Sequence, residues 1–492
     1  MLNFTFSPLA RWWPLGGGLL TLGFAPFHLW PLGLAALVLW VWGIRQAPSR
    51  KAAFTQSLLW GMAHGVTALY WLPWAFWHDS ESLLFAMFGG VPAALGLAFW
   101  VALGYALVAV VAWRYRANYT ALAATITVGV VGLEFLRNLT PFGFPWLPLG
   151  AMWAGSAFYN AEPPLLAQLA SVGSVQLLSA LMLFLALLLA SFQRWAWWAA
   201  AALLASVWAY GAWRVAQPMP ANHPTETLRL VQPNLGVATK WDPVQRWQFL
   251  ATTLHIATTP PLAAPQVVVL PETAVPFFLA QVPQARDWLA EAFTSPTQVL
   301  TGTVRRTEGT TPQFYNSLQL VAGGDVQASY DKQLLVPFGE FIPLRQWLEA
   351  LPLPTTLRTL SQSRLDFTHG TASPRLPTAL GPVVGLICYE GIFPLFVAKH
   401  SLGARWLANV TNDAWFTGTT ALYQHAALQR LRAIELGLPL VRSANTGISL
   451  VVDAHGRDVA TLPPNMAGVL DITLPAALPQ TPWRNLITRL LH

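Results

Sequence analysis

The feature that most constrains this chain is a succession of apolar segments from Met1 to about Arg214. Each is close to the roughly 20 residues an α-helix needs to cross a hydrocarbon core. The pattern predicts spans near Trp12–Pro26, Leu29–Ile44, Ala53–Trp77, Leu83–Trp113, Tyr119–Leu136, Pro164–Phe192 and Trp195–Trp213. The first two are short and hold Pro and Gly; a cleaved signal peptide is the alternative for the first, although no small-residue cleavage site follows it. Composition agrees with a membrane protein, since 54% of the 492 residues are apolar and 10% charged. Many of the 25 tryptophans, among them Trp71, Trp74, Trp77, Trp195 and Trp197, sit near the ends of apolar runs, where amphipathic rings favour the headgroup layer.

The net charge of +7 does not point to nucleic acid, because Lys and Arg form no dense stripe with interleaved aromatics. Instead Arg45, Arg50, Lys51, Arg114, Arg116 and Arg194 fall in alternate loops, while His78–Ser82 carries acid and no Lys or Arg. Basic loops favour the cytoplasm, so the amino terminus is expected inside and, after about seven crossings, everything beyond Arg214 outside. Arg137–Pro163, with Trp146 among its Pro and aromatic residues, is not a simple helix. It is either an outer loop or a loop beside a lipid entrance, since irregular backbone at membrane depth survives only when buried or lining a cavity. Glu134 and Arg137 share a helical face and read as a structural ion pair.

Composition shifts to Pro, Asn, His and Thr around Gln217–Thr227, marking a linker. The expected organisation is a transmembrane helical domain over 1–216, a linker over 217–227, a second domain over 228–475 and a short tail over 476–492. In the second domain, strands are expected at Leu228–Gln232, Gln266–Leu270, Gln298–Val304, Asn316–Val321, Val383–Cys388, Trp406–Val410, Ile448–Asp453 and Val469–Ile472. Helices are expected at Arg246–Ala257, Gln284–Phe293 and Tyr423–Leu436. That alternation predicts an α/β domain whose sheets are covered by helices.

Cys388 is the single cysteine, so an internal disulfide and a Cys-rich zinc site are both excluded. Taken alone it reads as a small core hydrophobe. It ends an apolar run, however, and Tyr389, Glu390 and Gly391 follow, as where a strand end carries a nucleophile into a pocket. Two further strand ends carry Glu272 and Lys332. Either residue alone is commonplace at such a place; the three together form a Glu, Lys, Cys set.

In the contexts LPETAVPF, YDKQLLVPFGEFIP and GLICYEGIFP, that set resembles the carbon–nitrogen hydrolase (nitrilase) superfamily, and with the membrane segments before it the match narrows to the apolipoprotein N-acyltransferase family. The resemblance implies a multi-pass α-helical membrane domain followed by a nitrilase-type αββα sandwich, placed outside the bacterial inner membrane. It implies that Cys388 attacks a phospholipid acyl ester, that Glu272 takes the thiol proton and that Lys332 stabilises the oxyanion. A resting thiol is only a few per cent thiolate at neutral pH, so such a base is needed. Glu340 is expected to neighbour Glu272 or orient Lys332, a backbone N–H near Tyr389 to help with the oxyanion, and Glu390 to support the cysteine loop. Trp146, Trp241, Asn412, Trp415 and Phe416 are candidate substrate contacts or, equally, an aromatic packing cluster. The stretch Ile342–Leu360 resembles an amphipathic interfacial flap or a cover of the core. The implied partners are a phospholipid acyl donor, a diacylglyceryl apolipoprotein acceptor and the bilayer, with no cofactor and no nucleic acid. Family members end in a last membrane helix, which Thr481–His492 is too short to supply, so the expectation is either a truncated last membrane helix or a terminus lying on the membrane surface.

A membrane-tethered amidase would use the same triad and admit water, and a transporter with an outer binding domain would use the spans as a pathway. G-x-S-x-G, H-E-x-x-H, Walker and G-x-G-x-x-G patterns are absent from the sequence.

Overall fold

The computed structural model describes residues 13–80, 83–139, 143–155, 162–223, 225–236, 240–260, 265–342, 345 and 366–491. The stretch expected as a flap over Ile342–Leu360 lies outside them apart from Ile342 and Arg345. In the first half, helices run over Trp13–Thr21, Trp30–Gln46, Arg50–Ala68, Leu72–Ser80, Val91–Trp113, Tyr119–Leu139, Ala170–Ala190 and Arg194–Val215. Among the described residues, Ala86–Trp113, Tyr119–Leu139 and Leu166–Ala190, at 28, 21 and 25 residues, are long and apolar enough to cross a membrane. The chain is a membrane protein by this measure.

Small residues let these helices approach closely. A Cβ on Gly61 would lie 2.7 Å from the Ala102 Cα, and one on Gly65 would lie 2.6 Å from the Ala98 Cα, so Arg50–Ala68 and Val91–Trp113 touch along their backbones. Buried polar groups pair across helices, as with Thr21 Oγ1 and His64 Nδ1 at 2.9 Å, or the Trp40 indole donating to Ser57 Oγ at 3.0 Å.

The continuous span expected over Ala53–Trp77 is corrected. The helix stops at Ala68, Leu69 leaves helical dihedrals (φ −114°, ψ 14°), and a separate helix starts at Leu72. The break is where the other half of the protein meets this one: Tyr70 accepts a hydrogen bond from Thr420 N at 3.1 Å, and Trp71 packs on Phe416 at 4.9 Å as well as on Trp146 of its own half at 5.1 Å. Similarly, among the described residues of the first apolar segment the helix ends at Thr21, and Ala170–Ala190 is interrupted at Gly173 and Ser174.

Among the described residues, the second half holds two six-stranded sheets. The first contains β1 (Thr227–Gln232), β2 (Val267–Val269), β3 (Gln298–Arg306), β4 (Phe314–Ala322), β5 (Asp325–Asp331) and β12 (Gly468–Thr473), in the order β12-β1-β2-β3-β4-β5. The second contains β6 (Arg375–Thr378), β7 (Gly381–Ile387), β8 (Trp406–Thr411), β9 (Leu440–Ala444), β10 (Ser449–Val452) and β11 (Asp458–Leu462), in the order β11-β10-β9-β8-β7-β6. In each, three central strands are parallel (β1, β2, β3 and β7, β8, β9) and antiparallel strands flank them.

The inner faces share one core, with Leu228, Val269, Leu300 and Leu318 against Val383, Ile387 and Ala408. Outside the first sheet, helices Gln245–Ala257 and Pro283–Ala292 bury Leu250, Leu254, Ala285 and Leu289. Outside the second, Pro394–His400, Ala421–Leu436 and Pro482–Leu491 bury Val397, Leu422, Ala433, Trp483 and Ile487. The order helix, sheet, sheet, helix is an αββα sandwich. The segment expected as a tail therefore includes a docked helix, and Arg484 fixes it by donating to the carbonyls of Ser401 and Ala404.

The halves are continuous in their packing. One apolar cluster runs from Leu178, Met182 and Trp153 of the first to Tyr389, Ile392, Phe393, Leu428, Leu431 and Ile434 of the second. Polar contacts add to it: Glu435 Oε1 accepts from Ser174 Oγ at 2.7 Å, Val175 N at 2.9 Å and Arg432 Nη2 at 2.8 Å. Gln168 donates to the His455 carbonyl at 2.8 Å.

Candidate active site

Glu272, Lys332 and Cys388 each follow the carboxyl end of a strand, β2, β5 and β7 respectively. Glu272 lies on a turn pressed against β3. Gly302 N donates to Pro271 O and Val275 N to Gly302 O, both at 3.2 Å, and a Cβ on Gly302 would lie 2.5 Å from the Glu272 Cα. Only glycine allows that approach.

Lys332 is 1% exposed and its ammonium lies 2.9 Å from Glu340 Oε2 and 3.8 Å from Glu272 Oε1. Asn316 Nδ2 bridges the two carboxylates, donating to Glu272 Oε1 at 2.7 Å and Glu340 Oε1 at 2.8 Å. The second oxygen of Glu272 accepts from Asn412 N at 2.8 Å, and that of Glu340 from Val336 N at 2.8 Å. Burial works against the Lys332 charge, but Glu340, Glu272 and Cys388 outweigh it and raise its pKa well above the ordinary lysine value.

Cys388 sits at φ +51°, a left-handed conformation that costs a non-glycine residue about 1–2 kcal/mol and marks a position over-determined by its surroundings. The determinants are visible. Its carbonyl receives Asn409 Nδ2 at 3.2 Å and Gln429 Nε2 at 3.3 Å, with His425 Nε2 also at 3.3 Å. Behind them Arg442 Nη2 reaches Asp413 Oδ2 at 2.6 Å, and Asp413 Oδ1 faces His425 Nδ1 at 3.2 Å. Burial pushes the thiol pKa up, Glu272 adds to the rise and Lys332 opposes it, so the resting group is the protonated thiol.

Glu390 is fully buried: one oxygen accepts from Tyr330 Oη at 2.5 Å, Gln333 N at 2.7 Å and Leu334 N at 3.2 Å, the other from Ile387 N at 2.9 Å. It thereby ties the Cys388 turn to the segment after Lys332. Burial pushes its pKa up to about 7 against the pull of those bonds. Tyr389 turns the other way and donates to Gly143 O at 2.5 Å, in the loop between membrane helices.

The candidate substrate contacts separate. Trp146 is 4% exposed, donates to Gln424 Oε1 at 2.8 Å and stacks on Phe144 at 5.7 Å; the buried Trp71 and the partly buried Phe416 complete an aromatic cluster beside Tyr389. Asn412 meets Glu272 through its backbone, while its side chain accepts from Asn445 at 3.2 Å. Trp415 is partly exposed and Trp241 is 51% exposed. Glu134 anchors the Trp146 loop more than it pairs with Arg137: its Oε1 accepts from Leu149 N at 2.8 Å, against 4.0 Å to the guanidinium.

Asn316, Lys240, Asn409, His425 and Gln429 escaped the reading of the sequence. Nothing local to them signals a site; strand register and one helix face bring them in. Among the described residues, no group of three or more His, Cys, Asp or Glu side chains is placed to hold a metal ion.

A buried thiol facing a carboxylate and an ammonium, on an αββα sandwich fused to membrane helices, defines a membrane-bound member of the carbon–nitrogen hydrolase superfamily. The carbon–nitrogen hydrolase family model matches residues 227–481, and the model of the apolipoprotein N-acyltransferase N-terminal domain matches residues 16–188. The chain is 36% identical to an apolipoprotein N-acyltransferase of Bradyrhizobium diazoefficiens, over 94% of this chain and 89% of that one. It is 32% identical to one of Brucella melitensis, over 95% and 90%. The solved structure of Saccharomyces cerevisiae Nit3, a member of branch 10 of the nitrilase superfamily, aligns at 17% identity over 55% of this chain and 97% of that one, with a TM-score of 0.36. The chain belongs to the apolipoprotein N-acyltransferase family.

Proposed function

We propose that the protein transfers a fatty acyl chain from a phospholipid to the α-amino group of a diacylglyceryl-cysteine apolipoprotein, through a thioester on Cys388. In the first half, Glu272 takes the thiol proton as sulfur attacks the ester carbonyl. The oxyanion forms beside the Lys332 ammonium, the C–O bond breaks, and the proton returns to the departing alkoxide, giving a lysophospholipid. In the second half the acceptor amine attacks the thioester, its proton passes to Glu272, the C–S bond breaks, and the proton ends on the thiolate. Splitting the transfer makes one difficult meeting of two lipids into two easier ones. A raised thiol pKa suits this order, because proton transfer is then coupled to attack. Lys332, held as a cation by Glu340, is suited to the oxyanion role.

The observation that carries the reading over a tethered amidase is the Tyr389 to Gly143 contact. The residue after the nucleophile is bonded to a membrane loop and roofed by Phe144, and Trp146 lies next to Phe144, so the thiol is approached through aromatic side chains at the bilayer.

The reading places the protein in the bacterial inner membrane with its catalytic half periplasmic. Support comes from where the charges lie. Arg45 donates to Ala190 O and Trp113 to Ala47 O, which identifies the bundle end carrying the basic loops, whereas Tyr70, Trp146 and Ser174 meet the catalytic half at the other end.

The test is the intermediate. Enzyme given phospholipid alone should carry one acyl group on the Cys388 peptide by mass spectrometry, removable by neutral hydroxylamine and absent from Cys388→Ala. A diacylglyceryl-cysteine peptide with a free amine should clear it and form an amide, and acetylating that amine should prevent clearance. Transfer without any adduct, even at millisecond trapping times, would sink the covalent route.

A further inference from the structure

The site holds a second buried lysine. Lys240 is 3% exposed, its ammonium donates to Thr273 Oγ1, and it lies 5.4 Å from the centroid of the Trp241 ring. Thr273 follows Glu272 directly, and the two charges interact. The carboxylates are already engaged: Glu272 by Asn316, Lys332 and Asn412 N, and Glu340 by Asn316, Lys332 and Val336 N. Lys332 is matched by those carboxylates; Lys240 has a neutral hydroxyl as its hydrogen-bond acceptor among the described residues. A buried ammonium with N–H groups to spare is costly unless an anion completes it.

We propose that Lys240 binds the phosphodiester of the acyl donor, so that the enzyme selects phospholipids by their phosphate while Cys388 reacts a few bonds away. This rests on the acyl-transfer reading above. A phosphodiester offers one negative charge and two non-bridging oxygens, which a compact ammonium pairs with as a point charge. Trp241, half exposed beside it, provides an apolar wall for the glycerol and first methylenes. Burial pushes Lys240 down to about 8, against the pull of Glu272, which leaves it charged at neutral pH with an anion due to reinforce that charge.

The experiment measures acylation of Cys388 in the full-length enzyme in detergent, with phosphatidylglycerol and diacylglycerol of the same chains as alternative donors, and reads the ratio of the two rates. Wild type should favour the phosphate-bearing donor by at least about tenfold. Lys240→Met and Lys240→Gln should bring the ratio close to one, and Lys240→Arg should restore most of it. An inactive fraction lowers both rates together and cannot move the ratio. A ratio unchanged in Met and Gln variants, or no preference in wild type, overturns the assignment and leaves acyl transfer intact; absence of any thioester in wild type overturns both. Inorganic phosphate added with diacylglycerol should not raise its rate. If it brings diacylglycerol to the phosphatidylglycerol rate, the site takes a free anion and the headgroup assignment falls.

Discussion

Glu435 lies 2.7 Å from Ser174 across the boundary between the halves, so a carboxylate of the catalytic half occupies the break in a membrane helix. It also neutralises the buried Arg432 at 2.8 Å. Glu435→Ala removes the acceptor for Ser174 Oγ and Val175 N and leaves Arg432 buried without its charge partner. Breaking a buried pair in this way costs about 3–5 kcal/mol. Thermal unfolding in detergent should show a large drop in midpoint, and limited proteolysis should cut the boundary sooner. A shift within error of wild type would mean that water or another group satisfies Arg432.

For the proposed triad, Cys388→Ala, Glu272→Gln and Lys332→Met should each abolish transfer in protein that still inserts and folds. Oxyanion donors are commonly worth about 100 to 1,000 fold in rate, so a loss under tenfold at Lys332 would count against its role.

Gly302 is a more indirect test of the same geometry. In Gly302→Ala the new methyl has 2.5 Å to the Glu272 Cα and 2.5 Å to Thr273 N, both backbone, so the turn carrying Glu272 must move. Overpacking of this kind costs about 1–3 kcal/mol, and a displaced base costs rate as well. The expected result is a fall in acylation rate larger than the fall in stability alone explains. Wild-type kinetics in a folded variant would show that Glu272 tolerates displacement.

Lys240 also predicts how stability depends on pH. Its native pKa is lowered to about 8 from an unfolded value of 10.5. Between those values the unfolded chain holds the proton and the native protein does not, so stability rises with pH. The contribution is present above pH 10.5 and is lost as pH falls through 8. Denaturation at pH 8 and pH 10 should therefore show a gain of at most about 3 kcal/mol in wild type that Lys240→Met lacks. Parallel pH slopes in the two proteins would contradict the burial of a charged lysine.

Sequence and structure agree where burial writes itself into local pattern. β2 and β7 are runs of apolar residues buried on both faces, and the parallel strand β8 likewise announced itself. β6 was not assigned, and of β5 only its end at Lys332 was read as a strand end, because both lie at sheet edges, where exposed polar positions or Pro break the pattern. β9 escaped for another reason. Arg442 interrupts its apolar run, and the distant Asp413, with Asn409 of the neighbouring strand at 2.9 Å, makes that charge tolerable inside a sheet. The break at Leu69 is similar, since Thr420, which meets the chain there, is 350 residues away from Tyr70 in sequence. At the site, Glu272, Lys332 and Cys388 were legible as strand-end chemistry in a familiar order, and Glu340 as a carboxylate neighbouring them. Asn316, His425 and Lys240 were not, because an Asn, a His or a Lys in isolation carries no sign of what register and helix packing will bring beside it.

The apolar cluster shared by both halves sets a limit for anyone wishing to shorten this protein. Severed near residue 227, the catalytic half keeps both sheets and the three strand ends, yet bares Ile392, Phe393, Leu428, Leu431 and Ile434 on one side and strips the Phe144 roof from Tyr389. Such a fragment would clump in water before its chemistry could be assayed, and mutating the thiol's neighbours would not rescue it. A water-soluble version has to begin by repainting that floor with polar side chains, leaving the cover over Tyr389 for a detergent or a lipid nanodisc to supply.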